Sequence, residues 1–86
     1  MKFVEIYKLQ NDGSQKVIAV CKLTDGGVVI ESENKEFAHS LADRGVRDYL
    51  SNSDVMLFPK DGIKFLEQLK YNFRSGYLNA SEVIEG

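Results

Sequence analysis

The residue types that most often carry chemistry are few in this chain and form no recognisable catalytic set. Its one cysteine, Cys21, lies in an apolar alternating stretch, where a free thiol is more often a small buried side chain than a nucleophile. Its one histidine, His39, lies in a different predicted element, and a single Cys with a single His lacks the paired spacing of a zinc site. We therefore predict no catalytic residue, no metal site and no cofactor. Whether Cys21 and His39 approach each other in space is left open by the sequence.

The acidic residues also lack a pattern that specifies a reaction. Glu31, Glu33 and Glu36 cluster where a predicted strand passes into a predicted helix, and carboxylates are favoured near the positive end of a helix dipole. That structural role explains them better than a carboxylate pair or a divalent-metal site. The glycine-containing turns at 25–27 and 60–62 match neither the phosphate-binding loop nor the dinucleotide-binding motif. We interpret the protein as non-enzymatic.

Basic and aromatic side chains are mixed in the segment 60–77, which has more cations than carboxylates. This combination can bind single-stranded nucleic acid, because bases stack on aromatic rings while cations contact the phosphates. The residues in question are Lys64, Lys70, Tyr71, Arg74 and Tyr77. A solvated helix face with half-buried tyrosines is the more common explanation of such a mixture. Single-stranded nucleic-acid binding is therefore the alternative hypothesis for this protein.

Length and composition limit the remaining possibilities. The chain has 86 residues and a formal net charge of −2, which fits one domain spanning 1–86 and argues against indiscriminate nucleic-acid binding. No apolar run reaches the ~18 residues of a membrane helix, and charges interrupt the apolar stretch at the N-terminus. Together with the single cysteine, these features predict a cytoplasmic protein that does not associate with membranes.

The first part of the chain has the pattern of an antiparallel β-meander. Apolar and β-branched residues are dense in 2–9, 15–23 and 28–32, and these three ranges are the predicted strands. The turns between them contain Asn11-Asp12-Gly13 and Asp25-Gly26-Gly27, which are typical of tight hairpins.

Helical spacing replaces alternation after the third strand. Apolar residues predict a helix over approximately 34–44 that ends at Gly45, followed by a short helical turn at 46–50. The clearest amphipathic pattern predicts a long helix over approximately 60–74, preceded by a short strand at 55–58. Pro59 fits the first turn of the long helix, and Asp61 is an alternative N-cap.

The chain ends in a predicted extended segment or strand at 77–84. The complete prediction is an α+β fold in which a three-stranded meander, a helix, a short strand, a long helix and this last segment follow one another. If the strands on either side of the long helix belong to one sheet, they form a β-α-β crossover.

The most distinctive motifs are Pro-x-Asp-Gly at 59–62 and Gly-Tyr-Leu at 76–78. In these motifs the chain resembles a group of small uncharacterised bacterial proteins that begin with a short β-meander and end with this helix and tail. The resemblance is specific over about the last third of the chain. Phe58 departs from it, because a Ser or Thr helix cap is expected there. The resemblance implies no activity, ligand or catalytic residue.

Apolar residues on both faces of the predicted strands are the main functional signal. A meander covered by helices on one side is expected to be polar on the other, yet each strand has a second apolar set. That second set contains Val4, Ile6, Ile18 and Val20. With two helices available, we expect one face to meet a partner, either a second copy in a homodimer or a different protein. The sequence thus predicts a protein-interaction module that self-associates.

Overall fold

The computed structural model describes residues 1–41, 47–50 and 53–86, and within them strands and helices are mixed, as the α+β prediction requires. The described helices pack on one face of one sheet. The elements are β1 (Lys2–Leu9), β2 (Gln15–Thr24), β3 (Gly27–Ser32), α1 (Lys35–Leu41), β4 (Arg47–Tyr49), β5 (Val55–Leu57), α2 (Gly62–Asn72), β6 (Leu78–Ala80) and β7 (Ile84–Glu85).

The strands are ordered β4-β5-β3-β2-β1-β6, and β7 pairs with the beginning of β1. Every described pair is antiparallel. Four antiparallel steps separate β5 from β6, so these two strands run in the same direction. The helix between them, α2, crosses the sheet and contacts β2, β1 and β6. α1 contacts β3.

Cross-strand register builds the core. Val4 pairs with Cys21, Cys21 with Ile30, and Ile30 with Val55, so the four side chains point to the same face. All four are fully buried. The neighbouring core residues on the sheet are Ile6, Ala19, Val28 and Leu57, and the helices cover the face with Ala38, Leu66 and Leu69.

This register corrects the surface expected from the sequence. Val4 and Ile6 have no exposed area and lie under the helices, so a partner cannot reach them in the folded chain. Ile18 is the extra residue at a β-bulge, because Ile6 pairs with Ala19 while Tyr7 pairs with Val17. It packs against the core. Val20 pairs with Glu5 and is the member of the expected set that lies on the opposite face.

Side-chain caps set the starts of both helices. The Asn34 carboxamide oxygen accepts a hydrogen bond from the Phe37 N–H at 3.0 Å, and α1 begins after it. Its predicted end at 42–44 and the stop at Gly45 lie outside the described residues. The Asp61 carboxylate accepts from the Lys64 N–H at 3.0 Å, so α2 begins after Asp61 and Pro59 precedes the helix. α2 ends at Asn72, two residues earlier than predicted, because the following residue leaves helical geometry.

Two further boundaries differ from the sequence prediction. Arg47–Tyr49 is a strand paired with β5, where a helical turn over 46–50 was expected. Main-chain pairing at the sheet edge determines the structure of this segment. Such pairing is not visible in the spacing of apolar residues along the sequence. The last segment, expected over 77–84, is divided into β6 and β7, which pair with the two ends of β1.

The β2–β3 turn yields a prediction for stability. Gly27 has a φ of +149°, and a Cβ there would lie 2.3 Å from the Leu57 carbonyl oxygen on β5. We expect Gly27→Ala to lower the free energy of unfolding by about 3 kcal/mol, because β3 and β5 must separate. Gly13→Ala is the matched control, since its φ is +87° but no atom lies within 4 Å of the added methyl group. Backbone strain alone is expected to cost about 1–2 kcal/mol there. Urea unfolding measures both, and equal losses would contradict the close approach.

Candidate interaction surfaces

The face of the sheet opposite the helices has an apolar row. Ile84 pairs with Phe3, Phe3 with Lys22, Lys22 with Val29, and Val29 with Met56. Register partners share a face, so one row crosses β7, β1, β2, β3 and β5. All five side chains are half-buried. The row is therefore apolar except for Lys22.

A second row beside the first has charges of the opposite sign. Glu5 pairs with Val20, and Val20 pairs with Glu31, so two carboxylates flank one valine. The Lys22 Nζ donates to the Glu31 Oε1 at 2.9 Å, which links the two rows. We call the two rows together the open face; it consists of Phe3, Glu5, Val20, Lys22, Val29, Glu31, Met56 and Ile84.

Glu5 carries a negative charge that no described lysine or arginine neutralises. It accepts a hydrogen bond from the Tyr7 hydroxyl at 2.9 Å. This hydrogen bond, with smaller effects of burial and of the carboxylate charge, raises the pKa of Tyr7 above its ordinary value. The Glu5 main chain is held by Ser81, whose N–H donates to the Glu5 carbonyl oxygen at 2.8 Å. Glu5 is thus fixed at the margin of the apolar row.

A second surface surrounds the loop between α2 and β6. Gly76 adopts a φ of +91°, and the Asn79 side chain bonds its backbone twice, accepting from its N–H at 3.2 Å and donating to its carbonyl oxygen at 3.0 Å. The Leu9 N–H donates to the Tyr77 carbonyl oxygen at 2.9 Å. Tyr77 is 56% exposed although its backbone is bound on the β1 side. The loop therefore holds the Tyr77 main chain in place and leaves its ring exposed.

Basic residues from distant parts of the sequence lie around this loop. The Lys8 Nζ lies over the Tyr77 ring, 5.6 Å from its centroid, in a cation–π contact. Lys8 and Lys16 are direct cross-strand partners, so they project to the same side of the sheet. Arg74 begins the loop and forms a β-bridge with Asn79, which pairs with Tyr7. Register partners share a face, so Arg74 lies on the side of Tyr7, opposite to Lys8 and Lys16. We call Lys8, Lys16 and Tyr77 the basic cluster.

The five residues of the nucleic-acid hypothesis are divided by the structure. Arg74 and Tyr77 belong to one loop, but Lys64 is near the start of α2, about 12 Å along the helix axis from the helix end at Asn72. Lys70 is paired with Glu82, and this hydrogen bond and charge raise the pKa of Lys70. Tyr71 is 63% exposed and lines a groove with Lys70 and Glu82 between α2 and the last segment.

Lys8 and Lys16 were absent from the sequence-based set. The signal that locates them is the hairpin register, because Lys8 and Lys16 each lie two residues from the Gln10–Ser14 turn, on its two sides. Their proximity to Tyr77 depends on the pairing of β6 with β1, which no local pattern specifies.

Cys21 is fully buried on β2 within the core. Burial raises the pKa of its thiol from 9.0 to about 12, so the group is protonated at neutral pH and is not a nucleophile. His39 lies on α1 and is half-buried. In the residues that the structure describes, no group of three or more His, Cys, Asp or Glu side chains is arranged to hold a metal ion.

No protein-family model, curated protein sequence or solved structure matches this chain. Among the described helices, none combines the length and apolar character that a membrane span requires. The two candidate binding surfaces described above are the open face and the basic cluster.

The buried thiol gives a prediction for reactivity. We expect Cys21 in the native chain to resist a thiol reagent at pH 8, and to remain resistant at pH 10, because its pKa of about 12 keeps it protonated. The same chain in denaturant is expected to react at both pH values and faster at pH 10, since an unfolded thiol ionises near 9.0. Absorbance of the released thiol chromophore follows the reaction. Rapid native modification with the fold intact would show that Cys21 is accessible.

Proposed function

We propose that this protein is a non-enzymatic protein-interaction module that associates with a second copy of itself through the open face. The observation that supports this proposal is the row of Phe3, Val29, Met56 and Ile84 on the side of the sheet away from the described helices. Antiparallel sheets commonly leave one face to water, and that face is then polar. An apolar row there gains free energy when a partner removes it from water.

Charge placement favours a second copy as the partner. Consider two open faces packed together about a two-fold axis that runs between the two rows and parallel to them. The Lys22 row of each copy then lies on the Glu5–Glu31 row of the other, and β2 lies over β2. Lys22 of one copy faces Val20 of the other, beside Glu5, whose charge has no described cationic partner. The same surface is thus self-complementary, as an isologous interface requires.

The size of the face indicates a weak dimer. Six strands side by side give five spacings of ~4.8 Å and a width of about 24 Å. The ten residues of β2 extend about 33 Å, so the face covers at most about 800 Å². This is the area that each partner contributes to a standard interface. Because β5 has three residues and β7 two, the usable area is smaller. We expect association that depends on concentration in the micromolar range.

Val20→Lys tests the proposal. Glu5 and Glu31 flank position 20, so a lysine there gains favourable charge contacts within the chain and the fold is retained. In the proposed dimer the new lysine faces Lys22 of the other copy, and both apolar area and charge complementarity are lost. We expect a monomer at all concentrations by light scattering, with circular dichroism unchanged.

Ile63→Lys is the matched control for this experiment. Ile63 is 40% exposed on α2, which packs on the opposite side of the sheet. The same change of side chain there is expected to leave the dimer intact. A wild-type chain that stays monomeric at high concentration would overturn self-association, and a monomer that captures a different protein through Val20 would redirect the proposal to that partner.

A charge exchange tests the two-fold arrangement more narrowly. Lys22→Glu and Glu5→Lys should each weaken the homodimer, because each places like charges across the interface. An equal mixture of the two variants should form a heterodimer. The glutamate at position 22 of one chain then lies beside the lysine at position 5 of the other, and the second contact is the original pair of Lys22 and Glu5. Uniform nitrogen-15 labelling of one variant gives the two chains different masses, so native mass spectrometry separates the homodimers from the heterodimer. Homodimers and heterodimers in random proportion would contradict the predicted Lys22–Glu5 contact.

A further inference from the structure

The basic cluster is a second surface, made by different residues at the end of β1 and β2 beside their connecting turn, with Lys8 and Lys16 on the side of the sheet that carries the helices. We propose that Lys8, Lys16 and Tyr77 bind single-stranded nucleic acid, with a base stacked on the Tyr77 ring and the adjoining phosphates contacted by the two lysines. Lys8 lies on the same face as Val4 and Ile6, whereas the open face lies on the other side of β1. Strand binding is therefore independent of the proposed self-association.

The pairing of Lys8 with Lys16 is the first argument for an anionic ligand. Like charges directly opposite each other in an antiparallel pair are unfavourable, because their side chains project together. Neither Lys8 nor Lys16 forms an ion pair with another described residue. The chain as a whole has a net charge of −2, so two facing lysines without described ion pairs at one end of the sheet are a local positive charge. Bound phosphates would neutralise them.

The exposed ring of Tyr77 is the second argument, and it selects single-stranded nucleic acid among polyanions. Lys8 lies over the ring, and 56% of the Tyr77 surface remains exposed. An aromatic ring beside cations is the arrangement that holds unpaired bases, because a base in a duplex is already stacked on its neighbours. A simple anion such as polyphosphate would gain nothing from the ring.

Hydrogen bonds within the loop hold the main chain of this site. Asn79 bonds the backbone of Gly76 on both its N–H and its carbonyl oxygen, and Leu9 donates to the carbonyl oxygen of Tyr77. The Phe73 carbonyl oxygen accepts a hydrogen bond from the Ala80 N–H at 3.0 Å, which closes the base of the loop. Because the main chain that carries the ring is positioned before binding, little backbone freedom is lost when a strand binds.

The surroundings of the cluster limit the length of nucleic acid that can bind. A groove extends from Lys8 and Lys16 along the beginning of β2 towards the start of α1. Its far end is lined by Glu33, Lys35 and Glu36, whose net negative charge repels phosphates. The strand is therefore confined to the lysine end, and the site accommodates a short stretch of nucleotides.

Fluorescence anisotropy of a labelled oligodeoxythymidylate tests the proposal with the full chain. We expect binding at low salt that weakens as salt rises. The double variant Lys8→Gln, Lys16→Gln should lose at least tenfold in affinity and reduce the slope of log K against log[salt] by about 1.4, which is two phosphate contacts at about 0.7 each. Tyr77→Ala should lose about fivefold or more, the effect of one stacked base, with the salt slope unchanged. Tyr77→Phe should bind like the wild type.

Lys64→Gln and Tyr71→Ala are the matched controls, because both side chains are exposed on α2 and lie outside the cluster. They are expected to leave the affinity unchanged. Circular dichroism of every variant verifies the fold. The proposal is overturned if no binding occurs at low salt, if the control variants weaken binding as much as the cluster variants, or if polyphosphate and duplex DNA compete as well as the single strand.

Discussion

The register between β1, β2 and β3 is the constraint on which the rest of the structure depends. It aligns Val4, Cys21 and Ile30 in one fully buried line, to which β5 adds Val55. Since side chains alternate along a strand, a slip of one residue would turn this line towards water and bring its charged neighbours under the helices. The burial of the core thus fixes the composition of the other face at the same time.

The two candidate surfaces are consequences of that register. Pairing within the meander places Lys22 between Phe3 and Val29 and sets Glu5 and Glu31 beside Val20, so the open face combines an apolar row with complementary charges. The same β1–β2 pairing places Lys8 opposite Lys16 at the other end of the strands. The β1–β6 pairing then brings the loop with Tyr77 to Lys8. Neither surface exists in a single segment of the chain.

Local patterns were sufficient to predict a mixture of strands and helices and to give Asp61 as one of two possible starts of the long helix, because periodicity and capping are properties of neighbouring residues. They were insufficient wherever pairing between distant segments determines the structure. Alternation showed that each strand has two apolar sets, but not which set the helices cover; Val4 and Ile6 were therefore expected at a surface and are buried. The bulge at Ile18, the strand at Arg47–Tyr49 and the meeting of Lys8 with Tyr77 each require contacts between segments far apart in sequence.

The pairing of β6 and β7 with β1 has a consequence for how the chain folds. β2 covers one edge of β1 through a short hairpin, but the other edge is covered by residues seventy or more positions later, as in the hydrogen bond from the Ser81 N–H to the Glu5 carbonyl oxygen. Contacts of such large sequence separation form slowly, because the entropy of closing the intervening loop is lost before the contact stabilises the chain. During refolding, the outer edge of the first strand therefore remains an unpaired template, and another chain can add to it before β6 and β7 return.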